Sequence, residues 1–429
     1  MKKIVSISLM IVTLLNAKVA TLGIDDTIKI SLENSPDIEI SHLDFKGALQ
    51  RNKFQEGYFL PTLNLSTTAG KQSIKFKGDE SNIDSTALIG GLSVSWLLYD
   101  FGKHSHSVDA SYYESLAYRA TLYQQIAYKI LMTKVNYYEV LKAKSILSVF
   151  QKSLALHQNQ LLRAKRYFDS GIRTIIDISD AQVRLTKAKL ELENAKYEIK
   201  LRRALLEESM GITPNDGNYL LKHKELSLPN VSKTLPKIET SLAQLEGFAY
   251  DHRQELKKMN ALIESKSATT KSIDAEYYPT LALKGDYSAQ SVTDDIASFT
   301  SQNQWKAGVV VEWNLFSGYQ TDASLEEGKI NTMKATAQKR QTRLAIKREV
   351  VDKYLDVKRG KDTIRLSESI AKSSAKKYLQ AQKRYDNGLS DYIELQEAQQ
   401  SYISSLSDLV TAYYDYYISI AQLDYAVGR

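Results

Sequence analysis

Apolar residues recur at every second position in four segments of this chain. The segments lie at about 60–75, 85–100, 279–290 and 305–316. In the last of them, Trp305, Val309 and Trp313 stand on one face, whereas Lys306 and Glu312 stand on the other. Period two is typical of a β-strand with one apolar and one polar face, and a tilted strand of about nine to eleven residues crosses a bilayer. We therefore favour membrane-spanning strands. The alternative, a soluble sheet packed on helices, leaves the polar loops 76–86 and 290–304 poorly explained.

Four other segments repeat apolar residues every seven positions and contain no proline. They span about 103–168, 174–210, 318–385 and 391–428. In the second segment the large row is Ile178, Leu185, Leu192, Ile199 and Leu206, with Ala181, Ala188 and Ala195 as its small companions; the first segment carries Val140, Leu147, Leu154, Leu161 and Phe168. A seam of large and small residues predicts closely paired coiled-coil helices. The first would be roughly 100 Å long at 1.5 Å per residue.

The two halves of the chain carry the same landmarks about 217 residues apart. Leu60-Pro61-Thr62-Leu63 returns as Tyr278-Pro279-Thr280-Leu281, and the strand exits Trp96 to Gly102 and Trp313 to Gly318 correspond. We therefore expect an internal two-fold repeat. The predicted order is a signal peptide at 1–20, a first repeat at 21–211, an equatorial linker at 212–240 and a second repeat at 241–429.

The first residues predict export. Lys2 and Lys3 precede an apolar run over 4–15, and small residues follow at Ala17 and Ala20; this is the pattern of a secretory signal, although an N-terminal core helix is the alternative. Beyond it no apolar stretch reaches the 18 residues of a transmembrane helix. The net charge is +7, but bases and acids interleave along the helices, which indicates a solvated surface rather than a nucleic-acid site.

Nothing in the sequence predicts catalysis or a cofactor. The chain has no cysteine, which excludes disulfides, thiol catalysis and thiolate metal sites. It contains no phosphate-binding glycine loop and no HExxH zinc motif. His104 and His106 form a two-histidine motif at a strand-to-helix junction, but no third ligand is evident.

Four strands cannot close a membrane barrel, because lipid does not tolerate open sheet edges. Bacterial barrels have about eight or more strands, in even numbers. Three copies of the chain would supply twelve strands. The sequence therefore predicts an association of identical chains, and three copies are compatible with closure.

Two similar turns separate the paired helices, at 166–177 and 384–394. With the duplicated Leu/Tyr-Pro-Thr-Leu motifs and strand exits, they make the chain resemble the TolC family of outer-membrane efflux channels over essentially the whole mature length. The resemblance implies an α+β membrane protein. In that fold each protomer gives four strands to a trimeric twelve-stranded outer-membrane barrel, continuous with a long periplasmic α-helical coiled-coil barrel that an equatorial region interrupts at 212–240.

The resemblance also implies a function and partners. Such a protein is the exit duct of a tripartite efflux or type I secretion system in a Gram-negative outer membrane, and it is not an enzyme. It receives solutes from an inner-membrane RND or ABC pump through a periplasmic adaptor (membrane fusion) protein. A structural coiled-coil envelope protein without a transport role is the alternative, which leaves the four amphipathic strands unexplained.

The family's periplasmic tip closes through a tyrosine and an arginine on one turn that bond an aspartate on the other. Tyr385 fits the tyrosine, Asp177 fits the aspartate, Ser390 stands at the arginine position, and Arg173 lies on the opposite turn. The remaining candidates are Asp391 at the gate, an acidic aperture of Asp180, Glu394 and Glu397, adaptor-contacting residues Gly171, Ile172, Gly388 and Leu389, and a membrane girdle of Trp96, Tyr99, Tyr277, Tyr278 and Trp313. Seam packing for Tyr385, and helix-dipole or capping roles for Asp177 and Glu394, are the simpler alternatives.

Overall fold

The computed structural model describes residues 20–75, 82–172, 174–214, 217–222, 226, 228, 230–232, 235–236, 240–294 and 299–429. The predicted signal peptide, apart from Ala20, and Arg173 lie outside the described residues. The chain divides into two compact units: one contains residues up to 40, 123–253 and 343–429, and the other contains 41–122 and 254–342.

The second unit contains a four-stranded antiparallel sheet in the order β2-β3-β5-β6. Its strands are β2 (Thr62–Lys75), β3 (Asn82–Tyr99), β5 (Thr280–Asp294) and β6 (Phe299–Glu312). The first unit contains a two-stranded parallel sheet of β1 (Ala20–Leu22) and β4 (Tyr219–Leu221). The last predicted strand, 305–316, ends four residues early, because β5 begins at Thr280, which already pairs with Glu312.

The register of the large sheet collects the apolar residues on one face. Leu65 pairs with Leu92, Leu92 with Tyr287, and Tyr287 with Trp305. On each strand the same face continues through residues of the same parity, including Leu63, Leu88, Trp96, Leu283, Val309 and Val311. Leu65, Trp305 and Val311 are 79%, 76% and 65% exposed in the single chain. The sheet therefore presents a continuous apolar surface that is largely exposed among the described residues.

The opposite face of the sheet is polar. Asp286 pairs with Lys306, Ser95 with Lys284, and Thr280 with Glu312. Opposite charges on directly paired residues stabilise a sheet by roughly 0.2–1 kcal/mol. Within the described ladder, β2 and β6 each pair on one side only, so the sheet has two open edges.

Eight α-helices account for most of the residues that the structure describes. They are α1 (Ile24–Asn34), α2 (Pro36–Glu56), α3 (Lys103–Asp169), α4 (Ile175–Ser209), α5 (Leu242–His252), α6 (Gln254–Asp274), α7 (Gln320–Asp386) and α8 (Tyr392–Val427). Within the described residues, none of these helices combines the length and apolarity that crossing a bilayer requires.

Side chains at the strand ends begin the long helices α3 and α7. Asp100 accepts a hydrogen bond from the backbone nitrogen of His104 at 2.8 Å, and Ser317 accepts one from Thr321 at 3.3 Å. These bonds satisfy backbone donors that the first helical turn leaves free. The His104 ring contacts the Asp100 carboxylate, and His106 lies 3.7 Å from Asp109, so both rings face carboxylates near the start of their own helix.

In the first unit, the predicted heptad rows are largely the buried rows. Leu395, Leu409 and Tyr416 of α8 are at most 1% exposed, and Ile364 of α7 is fully buried. The predicted row on α3 has one member too many, because its last residue, Phe168, is 42% exposed. In this last turn before the chain reverses, the neighbouring Tyr167 packs inward instead.

Candidate functional site

The helices of each long pair are joined by a short turn, and the two turns have the same hydrogen-bond pattern. Gly171 and Gly388 have φ angles of +71° and +72°. Gly171 N–H donates to Phe168 O and Ile172 N–H donates to Tyr167 O; Gly388 and Leu389 repeat the pattern with Tyr385 and Arg384. This is the Schellman ending, for which glycine is favoured because it adopts positive φ without a Cβ clash. We refer to residues 169–174 and 386–391 as the tip turns.

Tyr385 lies in the core beside the tip turns. It is 2% exposed, and its ring centroid lies 5.8 Å from Tyr167 and 5.9 Å from Tyr392. The surrounding cluster includes Ala164, Ala181 and Leu395. The ring of Tyr385 therefore joins α3, α7 and α8 through packing.

The predicted carboxylates Asp177 and Asp180 lie near Tyr392. Burial raises the pKa of Tyr392 to about 12; Tyr385 adds to the rise, Arg184 opposes it, and Asp180 and Asp177 raise it further. Asp177 is partly exposed and Asp180 is exposed. The first turn of α4 thus places negative charge beside the start of α8.

The acids at the start of α8 have local partners. Asp391 accepts a hydrogen bond from the backbone nitrogen of Glu394 at 2.9 Å and caps the helix. Glu394 lies 3.5 Å from Arg384 of α7. Glu397 is exposed and Ser390 is partly buried. Asp391 therefore has a capping role, and Glu394 ties the two ends of its own turn together.

An ion pair that the sequence reasoning missed joins α3 to α7 near the tip turns. Arg163 Nη1 lies 2.9 Å and 3.2 Å from the two carboxylate oxygens of Asp386. The side-chain oxygen of Gln382, oriented to accept, lies 2.9 Å from Arg163 Nη2. This contact links the first helix pair to the second. Asp386 follows Tyr385 in a predicted turn, but no sequence signal pairs it with an arginine 223 residues away.

A buried polar chain lies further from the turns, between α3 and α8. His157 Nδ1 lies 3.3 Å from Gln399 Nε2, and Gln160 Nε2 donates to Gln399 Oε1 at 3.4 Å. His157, Gln160 and Gln399 are 8%, 3% and 2% exposed. Burial, and secondarily Arg184, lower the pKa of His157. The available signal was a histidine four positions before Leu161, within the apolar seam of α3.

The hydrophobic residues of the tip turns are exposed. Ile172 is 63% and Leu389 is 69% exposed. They occupy the same position of the two Schellman turns, directly after the glycine. Neighbouring Ile175, Ile176 and Ile393 are also more than half exposed. The single chain therefore presents an uncovered apolar patch at these turns.

The five predicted girdle residues belong to the second unit and lie at one end of the sheet. Trp96 Nε1 donates to Phe59 O at 2.9 Å, and Trp313 Nε1 donates to Tyr277 O at 3.0 Å. Both tryptophans thus make the same bond in their own half. Tyr99 and Tyr278 are 56% and 51% exposed. Exposed amphipathic rings at the ends of apolar strands suit a membrane–water interface.

The described part of the equatorial segment is anchored on α7 and α8. Ser232 N–H donates to Glu368 at 2.8 Å, and Tyr416 donates to Pro236 O at 2.7 Å. Burial by itself raises the pKa of Glu368, but hydrogen bonds from Lys372 and Ser232 outweigh it and lower the pKa to about 2.

Comparison with known proteins gives consistent relatives. The chain is 24% identical over 406 residues to the outer membrane protein TolC of Vibrio cholerae, covering 92% of this chain and 88% of that protein. It is also 24% identical over 216 residues to TolC of Escherichia coli K12, covering 47% of this chain and only 43% of that relative. The match thus spans less than half the length of the Escherichia coli protein.

Solved structures share the fold. The outer-membrane channel OprN aligns with a TM-score of 0.81 at 18% identity, covering 94% of this chain and 89% of that chain. CusC, whose structures concern folding and transmembrane channel formation, aligns with a TM-score of 0.82 at 16% identity, covering 94% and 92%. The family model described as "Outer membrane efflux protein" matches residues 27–212 and 248–429. The resemblance drawn from the duplicated motifs is confirmed, and the chain belongs to the outer membrane efflux protein family.

Proposed function

We propose that this protein is the outer-membrane exit duct of a tripartite efflux or type I secretion system. It acts as a passive, gated channel, and an inner-membrane pump supplies the energy. Three copies assemble, each contributing the strands β2, β3, β5 and β6 to a twelve-stranded barrel. The long helices of the three copies form the periplasmic α-helical barrel, and the two halves of each chain act as repeats.

One observation carries this proposal: the large sheet has one continuous apolar face, one polar face and two open edges. An uncovered apolar surface of this size is unfavourable in water, and open edges are unfavourable in lipid. In a membrane barrel, lipid covers the apolar face, and the strands of sister chains pair with the open edges. A structural coiled-coil envelope protein has no use for either feature, so that alternative is not favoured.

We propose the tip turns as the gated end of the duct. Closure there rests on the buried packing of Tyr385 and on charged contacts in its surroundings. Asp177, Asp180, Glu394 and Glu397 would line the aperture. Gly171, Ile172, Gly388 and Leu389 would contact a periplasmic adaptor (membrane fusion) protein, because the apolar side chains of Ile172 and Leu389 are uncovered and need a partner. Arg173 and Ser390 complete the candidate gate.

Conductance tests the proposal. Purified full-length protein should run as a heat-modifiable trimer, fractionate with the outer membrane and form pores in planar bilayers. Deletion of the gene should increase sensitivity to exported toxic solutes or abolish secretion of a polypeptide. A water-soluble monomer without detergent would overturn both the barrel and the duct.

A further inference from the structure

The polar chain formed by His157, Gln160 and Gln399 interrupts an otherwise apolar seam. We propose that His157 is an acid-sensitive switch whose protonation separates α3 from α8 and favours opening of the tip. This proposal deepens the proposed gated duct and rests on it for its functional consequence. The structural event itself, loss of the α3–α8 contact, is measurable without any channel activity.

The direction of the hydrogen bonds sets the charge state of His157 while α3 and α8 are in contact. Gln399 uses its oxygen to accept from Gln160 Nε2, so its amide nitrogen faces His157 Nδ1. An amide nitrogen only donates, and His157 Nδ1 must therefore accept. The histidine is neutral, with its proton on Nε2. Adding a proton at Nδ1 would place two donors against each other in a buried site, which is unfavourable.

The groups around the site come from all four long helices. On α4, the Arg184 guanidinium lowers the pKa of His157. On α7, the hydroxyl of Tyr378 lies beside Gln160, and on α8 the facing group is the Gln399 amide. None of these described groups is an acid that could pair with an imidazolium. On α3 itself, Gln160 shares the Gln399 amide with His157.

The second half of the chain has no histidine at the position equivalent to His157. At an offset of 217, the position of His157 is occupied by Ser374, which lies 3.5 Å from Ser401 and does not titrate. Packing of the seam therefore does not require histidine. His157 also lies 14 residues before Gly171, about 21 Å along the helix axis, so its contact holds α3 against the second helix pair behind the tip.

The sign of the pH effect follows from linkage. Because the pKa of His157 is lowered in the closed form, the contact is complete above about pH 6.5, the ordinary pKa of histidine. Its contribution decreases as pH falls below that value and levels off below the lowered pKa. Between these limits the equilibrium shifts toward the separated form by up to about tenfold per pH unit and protomer.

Hydrogen–deuterium exchange of the full-length protein in detergent, corrected for intrinsic rates, tests the switch. Peptides covering 154–164 and 395–403 should exchange faster at pH 5.0 than at pH 7.5. His157→Gln keeps an acceptor but cannot be protonated in this range, so the step should disappear. His42→Gln, at an exposed position of α2, should retain it. The same step in wild type and His157→Gln, or no step in wild type, overturns the proposal.

Planar-bilayer recording then tests the consequence. Wild-type pores should open more at pH 5.0, and His157→Gln pores should not respond. His157→Ala, which removes the contact, should exchange rapidly in the two peptides at both pH values. If the exchange step occurs but no conductance is seen, the duct is refuted and the switch is not. If pores form but His157→Gln keeps the pH response of wild type, the switch is refuted and the duct is not.

Discussion

Removing the Arg163–Asp386 ion pair should favour the open state of the tip. The pair joins α3 to α7 with Nη1–oxygen distances of 2.9 and 3.2 Å. Its side chains are 34% and 39% exposed, so solvent screening keeps its contribution at about 0.5–1 kcal/mol. Over the three protomers of the proposed trimer this sums to about 1.5–3 kcal/mol, which corresponds to a ten- to hundredfold change in the closed-to-open equilibrium. Asp386→Asn should show this change in single-channel open probability.

Three comparisons make the prediction specific. Asp362→Asn removes another aspartate of α7, which pairs with Arg365 in its own helix at 3.4 Å, and it should leave gating unchanged. Combining Arg163→Asp with Asp386→Arg should restore closure that either change alone loses. The effect of Asp386→Asn should shrink in about 1 M salt, where the Debye length is about 3 Å. Failure of the exchanged pair to restore closure would refute the ion-pair explanation.

Further predictions concern stability. Gly388→Ala places a Cβ on a residue with φ +72° and should destabilise the protein by about 1–2 kcal/mol. Gly247→Ala in α5 should instead stabilise it by about 0.5–1 kcal/mol. Thermal unfolding of the two variants measures the difference. Glu368→Gln should speed backbone hydrogen–deuterium exchange around Ser232 at neutral pH. In wild type the hydrogen bond from Ser232 to Glu368 should persist well below pH 4.5 and be lost as pH falls through about 2. Trp313→Phe loses the bond to a backbone oxygen and should destabilise the sheet by about 0.5–1.5 kcal/mol, seen as a lower dissociation temperature of the trimer.

Local periodicity was enough to place the long elements. The structure has α3 at Lys103–Asp169 and α7 at Gln320–Asp386, within two residues of the ranges predicted from heptads and proline positions. A seven-residue period and a two-residue period are short-range signals that one chain displays directly. The glycines of the tip turns answer an equally local requirement, because each ends its helix with a positive φ angle.

The contacts between distant segments were not predictable in this way. Arg163 and Asp386 both look like ordinary exposed charges on helices, and nothing local distinguishes them. His157 and Gln399 are polar residues at seam positions, which the apolar rows on either side conceal. Phe168 was wrongly placed in the seam because the row of α3 was extended into the last turn, where the helix is about to end. Pairing across more than 200 residues depends on how the helices are arranged, and single-sequence periodicity does not contain that information.

The kinds of contact differ within and between the helix pairs. Inside the second pair, α7 and α8 meet through buried apolar rows that include Ile364, Leu395 and Leu409. Between the pairs, α3 adds directional polar contacts to the second pair, such as Lys142 to Asp415 at 3.0 Å and Ser145 to Tyr414 at 3.1 Å. Water can replace a polar contact at a net loss of only about 0.5–1.5 kcal/mol, whereas separating an apolar row exposes its whole surface. Opening should therefore begin at these polar contacts, whereas the buried cluster around Tyr385, which includes residues of both pairs, should resist it.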